Sequence, residues 1–269
     1  MDTGIVISED GTTIAYDRLG EGPSIVLVAG AIQHRAVDPS TGQLMELLGP
    51  RFAVYRYDRR GRGDSTDAQP YAVEREIEDL AAMIDAVGGS SFVFGGSSGA
   101  ILSLDAAAHG LPIAKLALYE PPFAIGDSTR PSLPHDYVQR LRELAASDDP
   151  GAAVEYFMTV GVRAPAEVIA GMRATPVWPA FERVAHTLAY DGAIAAPTMS
   201  GRPLPSDRWS SVSVPTLVID GDASPDWMRT GVAALARTLP NATHVTLPDQ
   251  THAADPAVLA PVLEGFLAS

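Results

Sequence analysis

The 269-residue chain contains no cysteine. Disulfides, zinc–thiolate centres and cysteine nucleophiles are therefore excluded. Basic residues are scarce beside acidic ones, 19 Lys and Arg against 33 Asp and Glu, giving a formal net charge of −14. A chain with that balance is a poor match for nucleic acid or an anionic membrane surface. No apolar run approaches the roughly 20 residues that span a bilayer. The opening Met1-Asp2-Thr3-Gly4 lacks the basic-then-apolar order of a secretion signal, so a cytoplasmic protein is expected. Internal repeats and low-complexity tracts are also missing. Hydrophobic residues are plentiful at 46%, enough for one large α/β domain or a core with an insert.

One stretch organises the rest. Phe92-Val93-Phe94-Gly95-Gly96-Ser97-Ser98-Gly99-Ala100 is an apolar run halted by glycines, and residues 101–108 continue it with a helix-like composition. This is Gly-x-Ser-x-Gly between a strand and a helix, a nucleophile elbow. So tight a turn strains the nucleophile's backbone, and the residues two before it and two or three after it must be small. With Ser97 as nucleophile those crowded points fall on Gly95, Gly99 and Ala100. With Ser98 one would fall on Ile101. Ser97 is therefore the candidate nucleophile. Ser98 opens the helix, where its N–H can face an oxyanion.

The flanking pattern sets the fold class. Residues 4–10 and 12–16 read as an antiparallel hairpin turning at Asp10-Gly11. Apolar runs at 24–28, 52–57, 113–119 and 214–221 read as strands, the first of them buried on both faces. Ile77, Leu80, Ile84 and Val87 recur at helical steps over 72–87. The loop Asp58-Arg59-Arg60-Gly61-Arg62-Gly63-Asp64-Ser65 is glycine-rich but lacks the Gly-Lys-Ser/Thr ending of a P-loop. It reads as a structural turn tied by Arg and Asp hydrogen bonds. From 123 to 209 the strand–helix rhythm stops, and helical segments at 136–145, 152–160, 165–173 and 180–190 sit among Pro, Gly and Ser. This predicts a helical cap inserted between a first core part, 1–122, and a second, 210–269. The rhythm resumes with helices at 225–239 and 256–267 around a strand at 243–247. Alternation of this kind gives a mostly parallel sheet with helices on both faces.

The elbow, a strand ending in Ala29-Gly30-Ala31, an insert after Pro122 and a histidine before the last helix stand in α/β-hydrolase order. The chain resembles that superfamily over essentially its whole length, with cap-bearing esterases and cofactor-free haloperoxidase-like enzymes among the nearest in look. Haloalkane dehalogenases and epoxide hydrolases also share the look, but they use an aspartate nucleophile, from which Ser97 departs. The resemblance implies that Ser97 attacks an acyl carbon, that His252 is its base, and that the N–H groups of Ala31 and Ser98 hold the oxyanion. It implies neither cofactor nor metal. Gln33 and His34 are candidates for the mouth of the site. Phe157 and Trp178, with Tyr156, Met158, Met172 and Phe181, are candidates for a substrate wall in the cap.

The acid departs from the family pattern. Its usual slot falls on Ser224 in Gly221-Asp222-Ala223-Ser224, with Asp222 and Asp226 out of step. Some relatives carry instead a glutamate at the end of the strand after the elbow helix, where this chain has Glu120. Glu120 is the choice here, with Asp222, Asp226 or a bare Ser–His pair left open. The expected function is a serine hydrolase cleaving a small-molecule ester, lactone or related acyl bond through an acyl-enzyme. The alternatives are a cofactor-free tailoring enzyme (cyclase, lyase or epoxide-opening) and a non-catalytic small-molecule receptor. Oligomeric state has no signature in the sequence.

Overall fold

A computed structural model describes residues 1–126, 130, 132–205 and 207–269; residues 127–129, 131 and 206 of the expected cap lie outside the described set. The chain opens with an antiparallel pair, β1 (Asp2–Ile7) and β2 (Thr13–Leu19). There follow β3 (Ser24–Val28), α1 (Pro39–Leu48), β4 (Ala53–Tyr57), α2 (Val73–Ala86), β5 (Ser91–Gly96), α3 (Ser98–Ala108) and β6 (Ile113–Tyr119). Five helices come next without a strand among the described residues: α4 (Tyr137–Ala145), α5 (Gly151–Tyr156), α6 (Ala166–Arg173), α7 (Trp178–Arg183) and α8 (Leu188–Ala195). The chain ends with β7 (Thr216–Gly221), α9 (Asp226–Thr238), β8 (Ala242–Leu247) and α10 (Pro256–Leu267). The eight strands form one sheet in the order β1-β2-β4-β3-β5-β6-β7-β8, parallel from β4 to β8.

The continuous apolar runs work as expected for a sheet covered on both sides. Side chains alternate between faces along a strand. Val26, Val93, Leu116 and Val218 meet Leu80 of α2, Leu104 of α3 and Leu235 of α9 on one face. Ile25, Leu27, Phe94, Ala117 and Ile219 meet Leu48 of α1 and Leu263 of α10 on the other. Helices α4 to α8 gather around a separate cluster that includes Tyr137, Leu141, Val154, Trp178 and Leu188. The segment that carries them begins and ends at one place, because the rings of Phe123 and Trp209, both fully buried, stack 5.4 Å apart.

Three elements differ from the sequence expectation. Helix α1 was not expected, since its first half, Pro39-Ser40-Thr41-Gly42-Gln43, is polar. Its start is set by the Asp38 side chain, which accepts from the Thr41 N–H at 3.1 Å, with Pro39 at the first position. The helix expected over 152–160 becomes α5 followed by a wider π-type turn, Phe157–Val162, closed by Arg163 at φ 66°. The helix expected over 180–190 is split, with a 3₁₀ turn at Ala185–Thr187 between α7 and α8.

Candidate active site

Strand β5 delivers Ser97 into the turn at φ 55° and ψ −124°, a left-handed backbone that a non-glycine residue keeps only when its surroundings dictate it. They do so through its N–H, bonded to the Tyr119 carbonyl at 2.9 Å. The crowding is steric and local. A Cβ on Gly95 would lie 2.5 Å from the Gly99 carbonyl oxygen, and one on Gly99 would lie 2.3 Å from that of Val28 and 2.6 Å from that of Ala29. Because those are backbone atoms of the neighbouring strand, Gly99→Ala must push α3 off β3. Overpacking of this kind costs about 1–3 kcal/mol, so thermal unfolding of the variant is expected several degrees below wild type, with ester turnover falling as the elbow shifts.

His252 stands in the loop after β8, with its Nε2 3.0 Å from Ser97 Oγ. Its Nδ1 lies 2.8 Å from an oxygen of Glu120. Glu120 is fully buried at the end of β6, also in the left-handed region at φ 43°, and its other oxygen accepts from the Gly221 N–H at 2.9 Å. The competing carboxylates point elsewhere. Asp222 accepts from the Asp249 N–H at 2.7 Å, and Asp226 is 94% exposed beside Arg229. Ser224, in the family's usual acid slot, is buried with its hydroxyl unpartnered among the described residues.

Ala31 and Ser98 border the same cavity as Ser97. A side chain at Gly30 would crowd the elbow, since a Cβ would lie 3.2 Å from that of Ser97 and 2.9 Å from Gln33 Oε1. Gln33 locks this loop by accepting from the Gly30 N–H at 2.8 Å. Ser97 and His252 stand between two cavities, of about 350 and about 390 Å³, that share Ala31, Phe157 and Val162. The first runs under the helical segment past Tyr137, Met199 and Trp227; the second passes Gln33, Thr41, Leu44 and Met158.

Two expected site residues are corrected. His34 is buried and borders neither cavity, and burial pushes its pKa down from the ordinary histidine value. Trp178 is part of the core of the helical segment, its indole N–H donating to Glu182 at 2.8 Å with Arg173 over its face. Tyr156, Met172 and Phe181 pack in that same core, whereas Phe157 and Met158 border a cavity.

The feature with no counterpart among the expected site residues is Asp191. This buried carboxylate on α8 accepts from Ser98 Oγ at 2.7 Å, from Arg59 at 2.8 Å and from Arg62 at 2.6 Å. Arg59 also forks onto Glu76 at 2.6 and 2.7 Å, and Arg62 donates to the Gly30 carbonyl at 2.7 Å. Burial pushes the Asp191 carboxyl up, but Arg62 and Arg59 outweigh it and hold the group below the usual carboxylate range. The 58–65 loop is thus the structural turn expected from its residues, and it also ties α8 to the elbow and to the loop that carries Ala31. Among the described residues no group of three or more His, Asp or Glu could hold a metal ion, and no helix is long and apolar enough to cross a membrane.

An eight-stranded, mostly parallel sheet that presents a strained serine between strand and helix is an α/β-hydrolase scaffold. The chain belongs to that family of enzymes, since the sequence model described as "Alpha/beta hydrolase family" matches residues 25–262. It is similar, at 55% identity and a TM-score of 0.90, to an alpha/beta hydrolase from Sphaerobacter thermophilus, over 98% of this chain and 100% of that one. A thermophilic esterase from Thermogutta terrifontis shares the fold at 24% identity and a TM-score of 0.71, over 100% and 98% of the two chains. An enol-lactonase from Burkholderia xenovorans does so at 23% identity and a TM-score of 0.71, over 99% and 100%. No curated protein matches the chain.

Proposed function

We propose that this hydrolase cleaves a small-molecule ester, lactone or related acyl bond through an acyl-enzyme on Ser97. The observation that carries the proposal is the unbroken line from Ser97 Oγ to His252 Nε2 at 3.0 Å and from His252 Nδ1 to Glu120 at 2.8 Å. In this reading His252 takes the Ser97 proton as the oxygen attacks the carbonyl carbon. The oxyanion lies against the N–H groups of Ala31 and Ser98. The imidazolium then gives its proton to the leaving oxygen, and the same ring activates the water that releases the acid. Glu120 fixes the Nδ1–H tautomer and balances the imidazolium charge.

Residues 123–209 act as the cap over this site, leaving and rejoining the sheet where Phe123 and Trp209 stack, and Phe157 contacts substrate from it. The partner is a small molecule met in the cytoplasm. A non-hydrolytic tailoring role rested on the acid missing at Ser224; with Glu120 against the imidazole that ground falls away.

The test is labelling with a fluorophosphonate probe and mass spectrometry of the elbow peptide. The label is expected on Ser97. Ser97→Ala should remain folded, take no label and lose turnover on the order of 10⁶-fold, the scale seen when a triad serine is removed. Label on another residue, or wild-type ester turnover by the variant, would overturn the proposal.

A further inference from the structure

The cavity of about 350 Å³ beneath the helical segment is bordered mainly by apolar side chains, and one cation, Arg163, stands at it. The charge of the other ionised group there, Asp191, is already taken by Arg59 and Arg62. Arg163 is exposed, and its guanidinium makes no ion pair or hydrogen bond among the described residues. Its charge is therefore not taken up by any of the described acidic side chains. Nearby Arg173, by contrast, meets both Asp149 and Glu155.

The position of Arg163 is fixed rather than incidental. It closes the π-type turn at φ 66° and ψ 33°, with its N–H bonded to the Met158 carbonyl. Turns of this width and left-handed non-glycine residues both concentrate where function imposes them. Behind it lies Arg130, buried, donating to the Gly161 carbonyl and packed 4.9 Å from the Trp227 ring. Burial and the neighbouring Arg163 charge together bring the Arg130 pKa down to about 10. Arg130 itself does not border the cavity; the cationic group that does is Arg163. Tyr137 borders the cavity as well, its hydroxyl so close to Gly161 that a Cβ there would lie 2.3 Å from it, and that hydroxyl has no hydrogen-bond partner among the described residues.

From this arrangement we infer that the acyl arm of the substrate ends in a carboxylate, held by Arg163 with the Tyr137 hydroxyl as second donor. The inference rests on the serine-hydrolase reading of the same site. A guanidinium matches a carboxylate bidentately, and the apolar wall between Ser97 and Arg163 suits the methylene spacer. The substrate class is thus the half-ester of a dicarboxylic acid, or a lactone bearing a carboxylate.

The experiment compares monoethyl succinate, glutarate and adipate with the ethyl esters of unbranched acids of matching length. Release of acid is followed by pH-stat with wild type, Arg163→Asn and Arg163→Lys. Asn is chosen because it tolerates the left-handed backbone. Wild type is expected to favour at least one half-ester over its neutral counterpart by tenfold or more in kcat/KM. Arg163→Asn should reduce that ratio tenfold or more, mainly through KM, and Arg163→Lys should recover part of it. Turnover of neutral esters with no preference for half-esters, or a ratio that does not move in Arg163→Asn, overturns the inference and leaves the hydrolase reading standing. No turnover of either class, with Ser97 unlabelled by the probe, overturns both.

Discussion

Glu120→Gln is expected to lower kcat by up to about 10⁴-fold, the loss that follows when a triad acid is replaced by its amide. The amide can keep the bond from the Gly221 N–H to its oxygen, so the packing at the end of β6 is preserved. What changes is the group facing His252 Nδ1. An N–H donor there favours the tautomer with its proton on Nε2, which can no longer accept from Ser97. The imidazolium also loses its counter-charge. Asp222→Asn and Asp226→Asn should change kcat by less than about twofold, since neither carboxylate meets the ring. Steady-state kinetics on one ester, with circular dichroism to check folding, decide the matter. A large loss in either aspartate variant with an active Glu120→Gln would return the acid to the loop after β7.

The largest effect on stability is expected from Asp191→Ala. The variant leaves Arg59 and Arg62 buried with one carboxylate, Glu76, where there were two. Breaking a buried ion pair by removing one partner costs about 3–5 kcal/mol, because the stranded charge stays out of water. For a chain of this size that corresponds to a melting temperature lower by roughly 6–20 °C. Activity should fall as well, because Ser98 loses its acceptor and Arg62, which donates to the Gly30 carbonyl, loses the carboxylate that positions it. The pH dependence follows from the sign of the Asp191 shift. Its carboxyl is held below the ordinary value, so its contribution is complete above the usual aspartate range and is lost as pH falls through the lowered pKa. Thermal scans of wild type and Asp191→Ala at neutral and acidic pH should therefore converge toward the acid end. An Asp191→Ala protein that melts within a degree or two of wild type would show that the two arginines find other partners.

The parts of this molecule legible in the sequence are those governed by local sterics and strand periodicity. The elbow register was readable because Gly95, Gly99 and Ala100 must be small whatever surrounds them. Strands β3 and β6 were readable because a strand covered on both faces needs an unbroken apolar run. The contact between Glu120 and His252 was readable because the serine in the usual acid slot and a glutamate at the end of the preceding strand occur together. Asp191 was not, since its partner Arg62 lies 129 residues away and nothing local to α8 marks it. Trp178 and His34 were misassigned for a related reason. Residue type does not reveal whether an aromatic side chain faces a cavity or its own core, and Trp178 is satisfied by Glu182, one helical turn on. The polar first half of α1 hid that helix, although Asp38-Pro39 marks its start.

The stacked rings of Phe123 and Trp209 have a consequence for how such a protein can diversify. The chain leaves the sheet after β6 and returns before β7, and these two strands are hydrogen-bonded neighbours. An excursion whose ends already touch adds little closure cost when it grows, since that cost rises only with the logarithm of its length. Sequence between the two rings can therefore be lengthened, trimmed or exchanged as a module while the sheet and the elbow that carries Ser97 stay in register. The aromatic pair is a natural splice point, at which everything between the two rings can be exchanged for the equivalent stretch of a relative without touching the sheet.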